Sequence, residues 1–252
     1  MQYVRSLVFV FQMYLVLALF GVFLFPVALV GGRRVAVGIC RLFCHWVRFS
    51  ARWIVGLHSE VRGEVPQDDV LIVAKHQSFF DIIMIYSAVP KGRFIMKREL
   101  VWAPFVGWYA WLTGCIPVNR GKGGAAIKGM LKAAKKGSSK GGQLVIFPQG
   151  TRVAPGAQAE YKVGAGALYS ALKQPCVPVA VNVGVFWPRQ SVLRQPGRAV
   201  IEFLPRIEPG LKTAAFMEQV EHEIETRSNM LMAEAGFPII AASDPVAHSN
   251  SG

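Results

Sequence analysis

Hydrophobic positions divide the chain into stretches of different period. From Leu7 to Val30 runs a 24-residue apolar segment, LVFVFQMYLVLALFGVFLFPVALV, whose only strongly polar side chain is Gln12. That is long enough to span a bilayer. A signal peptide has a shorter apolar region and a small-residue cleavage site before a polar mature sequence, and this pattern is missing here, so the segment reads as an anchor. Beyond it, Arg34, Arg41, His45, Arg48 and Arg52 fall within about a 60° arc of one helix face at 100° per residue. Val35, Ile39, Leu42, Phe43, Trp46, Val47, Trp53 and Ile54 fill the other face. Such a helix suits a membrane interface, with its cationic stripe toward lipid phosphates and its aromatic face among acyl chains. An ordinary surface helix of the globular part is the alternative reading. Pro26 permits either a span or a hairpin that enters the membrane and returns.

From about Glu60, short β-branched runs alternate with longer helical ones. Candidate strands are residues 70–74, 93–96, 115–119, 143–147, 177–182 and 199–204; candidate helices are 79–89, 98–112, 123–136, 164–172 and 212–235. This alternation predicts an α/β domain, a mixed and largely parallel sheet flanked by helices. The predicted organisation is an N-terminal two-helix membrane-anchoring segment over 1–58, the α/β domain over 59–238 and a disordered tail over 239–252. In such sheets, sites form beyond the carboxyl ends of the strands.

Composition sharpens the picture. The 252 residues are 52% hydrophobic and only 17% charged, yet the net charge is +13, and the mean hydropathy is +0.35. Disorder is excluded, and part of the chain is expected to meet lipid. Residues 1–60 carry +5, 61–150 carry +8, 151–211 carry +4 and 212–252 carry −4. The aromatic residues lie in apolar runs and no zinc finger, helix-turn-helix or RNA-recognition pattern is present, so nucleic acid is not an expected partner. Cys40, Cys44, Cys115 and Cys176 read as reduced thiols with no metal-ligand spacing. Neither a metal nor a bound cofactor is expected. Five arginines follow the apolar run against Arg5 before it, which by the positive-inside rule puts the remainder of the chain in the cytoplasm. The predicted location is the inner (cytoplasmic) membrane.

Three strand ends carry candidate chemistry: Lys75-His76-Gln77-Ser78-Phe79-Phe80-Asp81, then Asn119-Arg120, then Pro148-Gln149-Gly150-Thr151-Arg152. Five residues turn a helix by about 500°, so His76 and Asp81 meet only if the junction before the helix folds back. Ser78-x-x-Asp81 also reads as a plain capping box. A histidine with a carboxylate partner is a natural general base near neutral pH. No serine or cysteine sits as an evident nucleophile, and no Gly-x-Ser-x-Gly elbow is present, which favours direct attack by an activated hydroxyl over a covalent route and disfavours an esterase. Arg120 and Arg152 could each clamp a phosphate, or remain solvated surface charges.

His76-x4-Asp81, Gly114-Cys115-Ile116-Pro117-Val118-Asn119-Arg120, Phe147-Pro148-Gln149-Gly150-Thr151-Arg152 and Val177-Pro178-Val179 resemble, in order, the four motifs of the glycerolipid acyltransferase family. Lys97-Arg98-Glu99-Leu100, followed by Pro104 and Gly107, resembles the segment between its first two motifs. The resemblance implies that His76 deprotonates the sn-2 hydroxyl of lysophosphatidic acid, which attacks the thioester of acyl carrier protein (acyl-ACP) or coenzyme A (acyl-CoA) and gives phosphatidic acid. It implies that Asp81 orients His76, that Arg120, Gln149, Gly150, Thr151 and Arg152 bind the phosphate end, that Lys97 makes a polar contact near thioester or phosphate, and that Val177-Pro178-Val179 shapes the acyl side. Membrane lipid is then both surface and substrate.

Two positions depart from the family pattern. Lys75 stands where Asn is usual and is expected to add charge beside the base; Gln149 stands where Glu is usual, keeping one acceptor but losing the negative charge. Activity on the same substrate is expected to survive both. The rival readings are acylation of another lyso-lipid, such as lyso-ornithine lipid or a lysophospholipid, and a non-catalytic module that binds anionic lipid. Lys128, Lys132, Lys135, Lys136 and Lys140 read as a solvated helix face, or else as a dock for an acidic carrier protein or the bilayer. Phe216, Val220, Ile224 and Leu231 read as a core stripe.

Overall fold

The computed structural model describes residues 1–119, 121, 123–138 and 141–238. The expected tail from residue 239 lies outside the described residues, as do Arg120 and Lys140.

The N-terminal part is a helical hairpin. Helix α1 (Gln2–Leu19) runs through a π-helical stretch, Phe20–Leu24, into α2 (Phe25–Val55), which is broken at Gly32 with φ 67° and ψ −161°. A non-glycine residue would be strained there. Beyond Gly32 the chain runs antiparallel to α1: Phe20 meets Phe43 at 6.0 Å, Gln12 meets Trp46 and Ser50, and Gln2 meets Val55. The one strongly polar side chain of the apolar run is therefore satisfied inside the hairpin, Gln12 donating to Ser50 Oγ at 3.0 Å and accepting from Trp46 Nε1 at 2.9 Å. Leu42, Trp46, Phe49 and Trp53 of α2 remain exposed, the aromatic face that the spacing predicts. The cationic stripe is corrected for two of its five members, while Arg34, His45 and Arg52 remain exposed. Arg48 turns inward to Ser59 Oγ and Ser87 Oγ, both at 2.9 Å, and Arg41 reaches the Ser87 carbonyl at 3.4 Å, because α2 packs against the helix after the second strand and its guanidiniums satisfy polar groups at that seam.

The rest is a seven-stranded sheet in the order β1-β7-β6-β2-β5-β3-β4, with helices on both faces as the strand–helix alternation predicts. The strands are β1 (Leu57–Arg62), β2 (Leu71–Ala74), β3 (Arg93–Lys97), β4 (Ile116–Val118), β5 (Leu144–Ile146), β6 (Cys176–Val181) and β7 (Gly197–Phe203). All neighbours are parallel except β6 and β7, so β2, β3, β4, β5 and β6 present their carboxyl ends along one edge. Strand β1 was not foreseen; LHSEVR borders the amphipathic helix and reads as its continuation, whereas Gly56, at φ 72°, ends α2 and starts the strand.

Alternation along the buried strands assigns side chains to two cores. Ile72, Ala74, Val145 and Phe147 pack with α2 and α3 (Phe79–Ala88). Leu71, Val73, Leu144 and Ile146 pack with α5 (Gly123–Ser138), α6 (Gly164–Leu172) and α7 (Thr213–Glu234). The stripe Phe216, Val220, Ile224 and Leu231 is fully buried, as its spacing predicts. The expected helix over 98–112 is instead a 3-10 segment, Arg98–Trp102, and then α4 (Val106–Thr113). Pro104 forces Ala103 out of the helical region, and Ala103 has ψ 122°. The following Phe105 swings its ring against the hairpin, where a Cβ on Gly21 would lie 1.7 Å from it.

Candidate active site

Strand β2, Leu71–Ala74, is fully buried, and the period of two sends Lys75 and His76 to opposite faces of the sheet. His76 follows Ile72 and Ala74 toward α3. Its imidazole stacks on Phe147 at 4.0 Å between centroids and is held by Asp81, Nδ1 lying 3.1 Å from Oδ2. An ionised carboxylate only accepts, so Nδ1 carries the proton and Nε2 is left as the base.

Asp81 performs both of the roles that the sequence left open. The same Oδ2 accepts from the backbone N–H of Gln77 at 2.6 Å and of Ser78 at 2.7 Å, while Ser78 Oγ accepts from Phe80 N–H at 3.1 Å, completing a capping box on α3. The capping box is what folds the junction back and brings His76 to the carboxylate. Asp81 is fully buried, and its Oδ1 has no partner among the described residues, so the carboxylate's charge is directed at the imidazole and the helix N-terminus.

The loop after β5 grips His76 through the main chain. Gln149 Oε1 accepts the His76 N–H at 3.2 Å, and the Val153 N–H donates to the His76 carbonyl at 2.8 Å. Gly150, at φ 69°, makes the turn that returns the loop, and its N–H donates to the Phe147 carbonyl at 3.0 Å. Thr151 is exposed and Arg152 half-buried. Burial, and then the charge of Arg189, lower the pKa of Arg152, with Asp81 opposing.

Among the residues proposed from sequence, His76, Asp81, Gln149, Gly150, Thr151 and Arg152 come together at the ends of β2 and β5. Lys97 ends β3, two strands from β2 and so about 10 Å along the sheet; it is exposed and 3.7 Å from Glu99. Arg120 lies outside the described residues; β4 ends just before it. Val177, Pro178 and Val179 are buried within β6, where they fix the strand that carries the following loop.

Lys75 is corrected as well. It follows Leu71 and Val73 to the opposite face, where its buried ammonium pairs with Glu225 of α7, which also accepts from Tyr161 Oη at 2.9 Å. Its charge is compensated there rather than presented to His76. Sequence reasoning also missed Gln77, a buried side chain whose Oε1 accepts from Gly184 N–H at 3.0 Å and ties the histidine junction to the loop after β6. The alternation of the strand before it was the signal for Lys75; Gln77 had none, since its partner is remote in sequence.

The acyltransferase family model matches residues 58–182. The chain is 28% identical over 195 residues to a 1-acyl-sn-glycerol-3-phosphate acyltransferase of Pseudomonas aeruginosa, covering 75% of this chain and 76% of that one. It is 31% identical over 212 residues to the 1-acyl-sn-glycerol-3-phosphate acyltransferase alpha of Bos taurus, covering 80% and 72%. The crystal structure of the 1-acyl-sn-glycerophosphate acyltransferase of Thermotoga maritima has the same fold, with a TM-score of 0.78, 21% identity and coverage of 92% and 98%. Fold and relatives together define an acyltransferase enzyme. The chain belongs to the acyltransferase family.

Proposed function

We propose that the protein transfers an acyl chain from acyl-ACP or acyl-CoA to the sn-2 hydroxyl of 1-acyl-sn-glycerol-3-phosphate, giving phosphatidic acid for phospholipid biosynthesis. The relatives' shared activity supports the reaction, and the observation that carries the mechanism is the His76–Asp81 pair at 3.1 Å beside the Gln149–Arg152 loop. His76 Nε2 takes the proton of the acceptor hydroxyl as its oxygen attacks the thioester carbonyl. The tetrahedral intermediate collapses, the carbon–sulfur bond breaks, and the departing thiolate takes the proton from the imidazolium. Asp81 stabilises the imidazolium between these two steps. Arg152 draws the phosphate of the acceptor toward the turn at Gly150 and Thr151, and Arg120 and Lys97 supply further positive charge.

Residues 1–58 serve as the membrane anchor and 59–238 as the catalytic domain, on the cytoplasmic face of the inner membrane. The exposed aromatic face of α2 and the apolar helical stretch within residues 2–55, where mean hydropathy reaches 2.6, support the anchor. The test is purified protein assayed with labelled acyl-ACP and acyl-CoA against lysophosphatidic acid, lyso-ornithine lipid and other lysophospholipids, each product identified by mass. Phosphatidic acid as the main product is expected; preferential acylation of another lyso-lipid would replace the reading.

A further inference from the structure

The loop between β6 and β7 closes over the site from the side of the hairpin. Trp187 anchors it, stacked on Phe80 of α3 at 5.0 Å and meeting Phe9 of α1 edge-on at 5.4 Å. The Gln195 N–H donates to the Phe186 carbonyl at 2.9 Å and ties off the loop's base. Pro188 follows the buried Trp187 and restricts the backbone, and the next residue, Arg189, is exposed. Its Nη1 donates to the main-chain carbonyl of Arg152 at 3.3 Å.

This holds the Arg189 guanidinium against the main chain of Arg152, within range for its charge to act on the Arg152 side chain. Arg62, Arg198, Arg206 and Arg227 each meet a carboxylate within 4 Å, and Lys75 meets Glu225. Among the described residues neither Arg152 nor Arg189 does. Like charges held together without a counter-ion repel, so the arrangement favours an anion between them. A phosphate monoester carries between about −1.5 and −2 charges at pH 7. A single arginine leaves close to half of that uncompensated, and two can bind it from two sides.

We propose that Arg189 is a further phosphate-binding residue, acting with Arg152 to select a lyso-lipid whose headgroup is a phosphate monoester over one with a diester, zwitterionic or uncharged headgroup. The assignment rests on the proposed acceptor, and it adds a residue outside the four motifs. In mixed micelles, R189A should raise the KM for lysophosphatidic acid about tenfold while changing kcat less than about threefold and leaving the KM of the thioester donor unchanged. R189K should recover part of the loss, because the charge returns without the planar fork. Equal rises in acceptor and donor KM, or an unchanged acceptor KM, would overturn the assignment. Direct binding of labelled lysophosphatidic acid to wild-type protein and R189A separates this result from the assignment of the reaction. A tenfold loss of affinity in R189A upholds the arginine pair even where wild-type protein acylates a different lyso-lipid, and unchanged affinity removes the pair even where phosphatidic acid is the product.

Discussion

Gln149 and His76 are joined through the main chain and not through the imidazole: Gln149 Oε1 accepts the His76 N–H at 3.2 Å, while the amide Nε2 is buried without a partner among the described residues. An oxygen at this position is what holds the base in register with the loop after β5. Glu would supply the same oxygen. Gln149→Glu is therefore expected to keep kcat within about threefold of wild type on lysophosphatidic acid, and Gln149→Leu to lose about 1–3 kcal/mol of stability by stranding a buried N–H, read from denaturant midpoints. A Glu variant with far higher turnover would show that the charge, and not the oxygen, matters here.

His76 is no part of the exposed apolar surface of the hairpin, so chemistry and membrane retention should come apart. His76→Ala is expected to lower acyl transfer by at least about 10²-fold and still sediment with membranes. Asp81→Asn keeps an oxygen for the N–H groups of Gln77 and Ser78 but removes the charge that stabilises the imidazolium. It should cost turnover far more than melting temperature. Full activity in His76→Ala would remove the mechanism.

Lys75 and Glu225 form an ion pair across the opposite face of the sheet, with the Lys75 side chain 2% exposed and that of Glu225 28% exposed. Glu225→Leu leaves a buried ammonium unpaired and is expected to destabilise by about 3 kcal/mol, whereas the double variant Lys75→Met, Glu225→Leu should recover most of that. Urea unfolding of the two variants decides it; a double variant no better than the single one would mean that the pair fixes the histidine junction in a way an apolar pair cannot.

Arg206 holds the Asp68 carboxyl below the usual carboxylate range through a bidentate pair at 2.6 and 2.7 Å. A depressed folded-state pKa contributes stability that is fully present above the unfolded value and lost as pH falls through the folded one. The pair is substantially exposed, so the contribution stays below about 1 kcal/mol. The stability difference between wild type and Asp68→Asn should therefore be small and constant at pH 6 and above, then vanish in strong acid.

The capping box, the buried strand before His76 and the alternation of strands with helices are legible in the sequence, because each depends on a local pattern of residues. In Leu71-Ile72-Val73-Ala74-Lys75-His76, alternation alone separates Lys75 from His76. Other features needed partners far along the chain. Glu225 neutralises Lys75 from 150 residues away, and Ser87 and Ser59 turn Arg48 from lipid to protein. Arg189 lies in a loop with no periodicity, and only the packing of Trp187 brings it to Arg152. Pro104 was visible, yet the helix was read through it because the apolar residues on either side keep a helical spacing.

Gln2 donates at once to the carbonyls of Val55 and Arg194, at 2.9 and 2.7 Å, so the first residue of α1 clasps the last residue of α2 to the loop that carries Arg189. Both ends of the hairpin are thereby fixed to the catalytic domain. With the hairpin in a bilayer as proposed, the catalyst would meet its acceptor in two dimensions, and its rate would follow the mole fraction of lyso-lipid in the surface rather than the amount in the tube. Inert lipid then acts as a diluent, and the product is released into the same leaflet from which the acceptor came.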